Sequence, residues 1–227
     1  MLTVSTVMKL QSRFLEGLAM SDRKMILATA KRRHFPPNFV VVNQGDPADH
    51  LFLLTEGRAR FFFNTTEGKK VVLLWLTPGE IFGGSAFMSM PCSYLVGTET
   101  LKDSSLLMWD RATLRRLSAR YPRLLENTCL IAYNYLDWYV ADHIALISHT
   151  ARQKLASILV YLAESIGKKV ADGFEFDATN EELASAANIT QFTASRLLSE
   201  WQRNRAILKR RGQVVLRFPE RLLPQTD

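Results

Sequence analysis

Residues 188–204, NITQFTASRLLSEWQRN, carry side chains whose types and spacing suit hydrogen-bond recognition of flat polar edges. At a period of 3.6, Gln191, Phe192, Ser195, Arg196 and Ser199 share one face of a helix, and Ala194, Leu197, Leu198 and Trp201 share the other. The arginine fork matches the O6 and N7 acceptors of guanine, and a glutamine amide matches adenine. Phe192 suits a thymine methyl group or a sugar edge. A helix that only packs would show a solvated polar face, so the neighbouring elements must decide between packing and recognition.

Those neighbours point to recognition. Thr179 or Asn180 caps a short helix with Glu181 and Glu182 at its positive end, and Leu183 and Ala187 lie on one side of it. Asn188 then suits the left-handed backbone of a tight turn, Ile189 plugs that turn, and Thr190 caps the second helix. Ala184, Ala186 and Ala187 are small enough for two helices to cross closely. A short helix, tight turn and longer helix form a helix-turn-helix, whose second helix enters the DNA major groove N-terminus first. The expected base-reading residues are Gln191, Phe192, Ser195 and Arg196. Thr179, Asn180, Thr190 and Ser199 are expected at the DNA backbone. LKRRGQVVLRF (208–218) reads as a hairpin turning at Arg211-Gly212, which makes Lys209, Arg210 and Arg211 a basic wing over phosphates. From Arg196 to Arg221 there are eight Lys or Arg and two acids.

The rest of the chain must position this unit. Residues 8–32 read as a helical lead starting at Ser21-Asp22. Between residues 34 and 109, FVVVNQGD, HLFLLTEG, RARFFFNTTEG, KKVVLLWLTPGE, YLVGTET and SSLLMW read as short strands. Turn signals at Gly45-Asp46, Glu56-Gly57, Thr66-Glu67-Gly68 and Pro78-Gly79 separate several of them, so a barrel or sandwich is expected. A short helix follows, containing LRRL. A glycine-free run then extends to residue 148, and Leu125, Cys129, Ala132, Leu136, Tyr139, His143 and Leu146 follow a 4-3 spacing along it. That spacing is expected to form a homodimer seam. A second apolar series, Leu124, Ile131, Tyr135 and Trp138, flanks the seam. The expected class is α+β, divided into 1–120 (β-roll with flanking helices), 121–148 (dimerisation helix) and 149–227 (winged helix-turn-helix).

Composition narrows the alternatives. The chain has 227 residues, 47% of them hydrophobic, and a net charge of +7, which permits a nucleic-acid partner. The N-terminus lacks the pattern of a secretory signal and no apolar run approaches a membrane span, so a cytoplasmic, membrane-free protein is expected. Cys92 and Cys129 stand far apart without CxxC spacing, which argues against disulfides, an iron–sulfur cluster or a thiolate metal site. His34 and His50 are isolated and no H-x-H occurs, so a metal-dependent β-roll enzyme is disfavoured. Haem ligation by His34, His50 or Cys92, and redox chemistry at Cys92, rest on single residues. No metal, cofactor or catalytic residue is expected.

The order of β-roll, long helix and winged helix-turn-helix resembles the Crp/Fnr family of bacterial transcription regulators across nearly the whole chain. GDPADHLFLLTEGRARFF (45–62) is similar to its strand pair, LTPGEIFGGSAFM (76–88) to its PG-(D/E)-x-FG turn, and ITQFTASRLLSEWQ (189–202) to its recognition helix, with Ser195-Arg196 at the common SR pair. The resemblance implies a homodimer on a palindromic operator, with RNA polymerase as a further partner. It also implies an effector pocket around Gly83, Gly84, Ser85, Tyr94 and Leu95. Family members that bind cyclic nucleotides carry Glu at the position of Gly84, for the ribose, and Arg with a small hydroxyl residue at the positions of Tyr94 and Leu95, for the phosphate. This chain has neither, and no arginine at all between residues 61 and 110. A buried phosphate without a cation is poorly compensated, so cyclic AMP is not expected to bind. The effector is unassigned, and a regulator controlled by its abundance or by a partner protein is the alternative. Many relatives also read cytosine with a Glu where Phe192 stands. Phe cannot accept that hydrogen bond, so the half-site is expected to differ there.

Overall fold

The computed structural model describes residues 11–210 and 212–223, except for the side chains of residues 142 and 145–147. Arg211 of the expected wing lies outside the described residues, as do the side chain of Leu146 on the expected seam and the first residues of the helical lead. The chain divides into two compact units, one up to Asp137 and the other from Trp138.

The first unit is built from two four-stranded antiparallel sheets. Its elements are α1 (Met20–Ala28), β1 (Lys31–Phe35), β2 (Val40–Val42), β3 (His50–Glu56), β4 (Ala59–Asn64), β5 (Lys70–Leu76), β6 (Ile81–Phe82), β7 (Gly97–Thr100), β8 (Ser104–Asp110) and α2 (Arg111–Arg120), followed by the start of α3 (Arg123–Ser148). The sheet orders are β1-β8-β3-β6 and β2-β7-β4-β5. Strand β3 is buried over most of its length because both of its faces are covered. Leu51 and Leu53 enter a core with Phe14, Ile26, Leu107, Trp109, Leu114 and Leu124. The Trp109 indole N–H donates to the Ile26 carbonyl at 3.2 Å and to the Thr29 hydroxyl at 3.0 Å, which satisfies the polar end of a buried ring. Phe52 stacks on Phe82 with centroids 4.8 Å apart, and Phe61 meets Phe82 edge-on at 6.5 Å, bridging the two sheets.

The helical lead is corrected by the structure. A 3-10 turn covers Arg13–Leu15, α1 begins after Ala19 rather than at Ser21-Asp22, and KRRHF is an edge strand, paired among the described residues with β8. Cations fit an edge strand because their side chains stay in water and discourage further strand pairing.

Helix α3 has 26 residues, about 39 Å of rise. One side packs on the first unit. Leu124 is buried, the Asn127 amide donates to the carbonyls of Phe14 and Glu16, and Tyr135 sits edge-on to Phe61 at 5.8 Å. The opposite side stays apolar and exposed, with Leu125, Tyr133, Leu136, Val140 and Ile144. Of the expected seam, Leu125, Cys129, Ala132, Leu136 and His143 are exposed and Tyr139 is half-buried.

The second unit contains α4 (Ala151–Ile166), β9 (Lys168–Val170), β10 (Gly173–Asp177), α5 (Asn180–Ala186), α6 (Gln191–Arg203), β11 (Ile207–Arg210) and β12 (Gln213–Leu216). Its sheet order is β11-β12-β10-β9. Strands β9 and β10 pair as an antiparallel hairpin. Its core holds Leu155, Leu159, Leu162, Leu183, Leu197, Leu198, Trp201 and Val214.

Candidate nucleic-acid interface

The local sequence sets the two helices. Thr179 caps α5 through a capping box, its hydroxyl accepting from the Glu182 N–H while the Glu182 carboxylate accepts from the Thr179 N–H. Asn188 has φ 48°, the left-handed conformation an asparagine tolerates, and the Ile189 N–H returns to the Ala184 carbonyl at 3.0 Å. Ile189 is half-buried rather than fully enclosed. Thr190 caps α6, accepting from the Thr193 N–H at 3.1 Å. Four positions, 187–190, separate the helices.

The apolar face of α6 is fully committed: Ala194, Leu197, Leu198 and Trp201 are buried, and the Trp201 indole donates to the Leu222 carbonyl at 2.9 Å. Its other face is not. Gln191, Phe192, Ser195, Arg196 and Ser199 are exposed, Phe192 by 79%. A phenylalanine so exposed lies outside the apolar core and is accessible to a partner. The side chains of Gln191, Ser195 and Arg196 make no hydrogen bond among the described residues, whereas the Ser199 hydroxyl donates back to the Ser195 carbonyl at 2.8 Å.

The expected backbone set divides. The Thr179 and Thr190 hydroxyls act as caps. Asn180 is half-buried and its amide oxygen is buried without a partner, so that oxygen does not face solvent. Lys209 is half-buried, Arg210 is exposed, and the β11–β12 pair closes at Arg210 opposite Gln213 across Gly212 at φ 73°. Sequence reasoning missed Lys168 and Lys169 on the exposed edge strand β9, although Asp172-Gly173 is a standard hairpin signal. It also missed Arg152, whose guanidinium pairs with Glu200 of α6. That hydrogen bond holds the Glu200 carboxyl below its ordinary range, with Arg196 and Arg203 adding to the effect against a desolvation cost.

In the first unit, the expected effector residues are tightly packed. Gly83 has φ 78°, and a Cβ there would stand 2.4 Å from the His50 carbonyl oxygen. Tyr94 is buried beside it. Its hydroxyl donates to the His50 carbonyl at 3.0 Å and accepts from the His50 N–H at 3.1 Å, and burial raises its pKa. Gly84 and Ser85 are half-buried, and a Cβ on Gly84 would stand 2.9 Å from Thr128 Cγ2 on α3. Leu95, next to Tyr94 in the chain, is 84% exposed. Among the described residues, no group of three His, Cys, Asp or Glu is placed to hold a metal, and no helix is long and apolar enough to cross a membrane.

Residues 32–121 match the family model of the cyclic nucleotide-binding domain, and residues 153–224 match the Crp-like helix-turn-helix domain. The chain is 26% identical over 183 residues to the cyclic AMP receptor protein of Thermus thermophilus, covering 80% of this chain and 82% of that one. In fold it is similar to the c-di-GMP-responsive global regulator CLP of Xanthomonas campestris, with a TM-score of 0.75, 21% identity, and 87% and 99% of the two chains covered. It is also similar to FixK2 of Bradyrhizobium japonicum, with a TM-score of 0.73, 20% identity, and 85% and 95% covered.

Proposed function

Because this chain belongs to the Crp/Fnr family of transcription regulators, with a Crp-like helix-turn-helix for DNA, we propose that it acts as a homodimer reading a palindromic operator through α6. The exposed polar face of α6, with Phe192 standing out from it, carries this reading. Gln191, Phe192, Ser195 and Arg196 read base edges. Thr179, Thr190, Arg210 and Arg211 lie at phosphates, the threonines through the helix N-termini they cap. Asn180 and Ser199 contribute less, since the Asn180 amide oxygen is buried and the Ser199 hydroxyl is already engaged, and Lys209 joins the phosphate set. The exposed apolar side of α3 supplies the seam, and RNA polymerase is the further partner that regulator output requires. Selection of bound duplexes from a random pool tests the reading. A two-fold symmetric site bound by a dimer supports it, and a monomer or a site without symmetry overturns it.

The first unit does not bind cyclic AMP in this reading. Gly84 supplies no carboxylate for a ribose, and the Tyr94 hydroxyl is engaged by His50. Titration calorimetry with cyclic AMP is expected to give no heat of binding, and micromolar binding would refute this part.

A second reading, regulation without any small effector, is favoured by the aromatic series Phe52, Phe82, Phe61 and Tyr135, which fills the space between the sheets and reaches α3. Tight operator binding by purified protein without additives supports it. Binding that needs an added small molecule excludes it.

A further inference from the structure

Helix α6 carries an acid four residues after its arginine. Arg196 and Glu200 stand at i and i+4, the spacing at which a guanidinium and a carboxylate meet on a helix surface. Glu200 is instead engaged by another element: its carboxylate accepts a charge-assisted hydrogen bond from Arg152 Nη2, in the first turn of α4. Arg152 is fixed from two further sides. Its Nη1 donates to the Leu222 carbonyl at 3.4 Å, and its guanidinium lies 5.7 Å from the centre of the Trp201 ring. The Trp201 indole donates to the same carbonyl, so Arg152, Glu200, Trp201 and Leu222 form one network at the C-terminal half of α6. The other cations facing Glu200 are Arg196 and Arg203 of its own helix.

We propose that Arg152 is a positioning residue for base recognition: by holding the Glu200 carboxylate against α4, it keeps that carboxylate off Arg196. Arg196 then keeps its full donor fork for a base edge. A carboxylate released onto this face would compete with the base for the guanidinium and would stand near incoming phosphates, where like charge opposes binding. The inference rests on the base-reading role proposed for Arg196, and it adds a specificity determinant outside the helix-turn-helix.

The test is a set of titrations of full-length protein on the duplex selected above, read as affinity and as preference at the base pair assigned to Arg196. Arg152→Ala is expected to weaken binding about five- to tenfold and to relax that preference. Glu200→Gln alone is expected to stay within about twofold of the native protein, since no charge remains to compete. The double variant Arg152→Ala/Glu200→Gln is expected to recover to within about twofold, with its preference restored. A loss from damaged packing of α4 would persist in the double variant, so absence of rescue overturns the proposal, as does native affinity in Arg152→Ala. In an Arg196→Ala background, Arg152→Ala should cost clearly less than in the native protein, because only the repulsion of phosphates by the freed carboxylate remains; an undiminished additional loss also overturns it. Unchanged base preference in Arg196→Ala itself overturns both the proposal and the base-reading role beneath it, an outcome separate from failed rescue.

Discussion

In the first unit, the Tyr94 hydroxyl is engaged by both backbone groups of His50, the Glu99 carboxylate by Arg60 and Lys70, and the Glu80 carboxylate by Thr77. On α6, Gln191, Ser195 and Arg196 leave their side-chain donors and acceptors to water. The difference separates two uses of polarity. A buried group that a fold has already satisfied stabilises that fold, and removing it strands a partner. An exposed group satisfied only by water does little for stability and remains available to a ligand. Substitutions in the first set should change stability and leave base preference alone, and substitutions in the second should do the reverse.

The strongest way to break this contrast is at Glu99, buried to 4% exposure and bonded to Arg60 at 2.7 Å and Lys70 at 2.6 Å. Glu99→Ala leaves two cations facing each other across the sheet. It should cost about 2–3 kcal/mol, below the figure for a fully buried pair because Lys70 is half-exposed. Denaturant titration measures this, and an altered base preference would contradict the separation. Burial alone would raise the Glu99 pKa, but the hydrogen bonds from Lys70 and Arg60 outweigh it and hold the group below its ordinary value of 4.5. Its contribution is therefore complete above 4.5 and is lost as pH falls through the lower folded value. Glu99→Ala should flatten the acid side of the stability profile.

Arg196→Ala is the mirror experiment. It should cost about 1–3 kcal/mol in binding to the preferred site and relax selectivity at one position per half-site. Stability should stay within about 0.5 kcal/mol, since the side chain is exposed. Unchanged selectivity would remove Arg196 from the readers.

Tyr94→Phe comes next in size, at about 1 kcal/mol of stability, because the partly enclosed His50 N–H loses its hydrogen bond. DNA affinity should not move. A change in affinity without a change in stability would mean that Tyr94 belongs to an effector site after all.

The sequence discloses α6 and its surroundings because their determinants are local. A 3.6 period, threonine caps and an asparagine in the left-handed region all act within a few residues. The strands between residues 40 and 110 are legible from turns and alternation. Strand β1 is not, because three consecutive cations mask any apolar period and only pairing with β8 makes the segment extended. The Tyr94–His50 bond spans 44 positions and the Arg152–Glu200 pair spans 48, distances at which no local pattern carries information. The exposed apolar stripe of α3 is legible in part. Its 4-3 spacing finds Leu125, Cys129, Ala132 and Leu136, but further along the exposed stripe includes Val140 and Ile144, while Tyr139 is half-buried. A straight helix of period 3.6 drifts by about 20° per heptad, enough to bring neighbouring positions into such a stripe.

The smallest effect tests whether the exposed groups of the second unit share one role. Arg210 is exposed at the end of β11, opposite Gln213. A phosphate partner is indifferent to sequence. Arg210→Ala should then weaken binding to every duplex alike, by less than about 1 kcal/mol at moderate salt, and lower the slope of log affinity against log salt by about 1. Arg196→Ala should instead change the ranking of sequences. If both variants lower the slope and neither alters the ranking, α6 holds the backbone rather than reading bases, and its exposed polar face answers to charge alone.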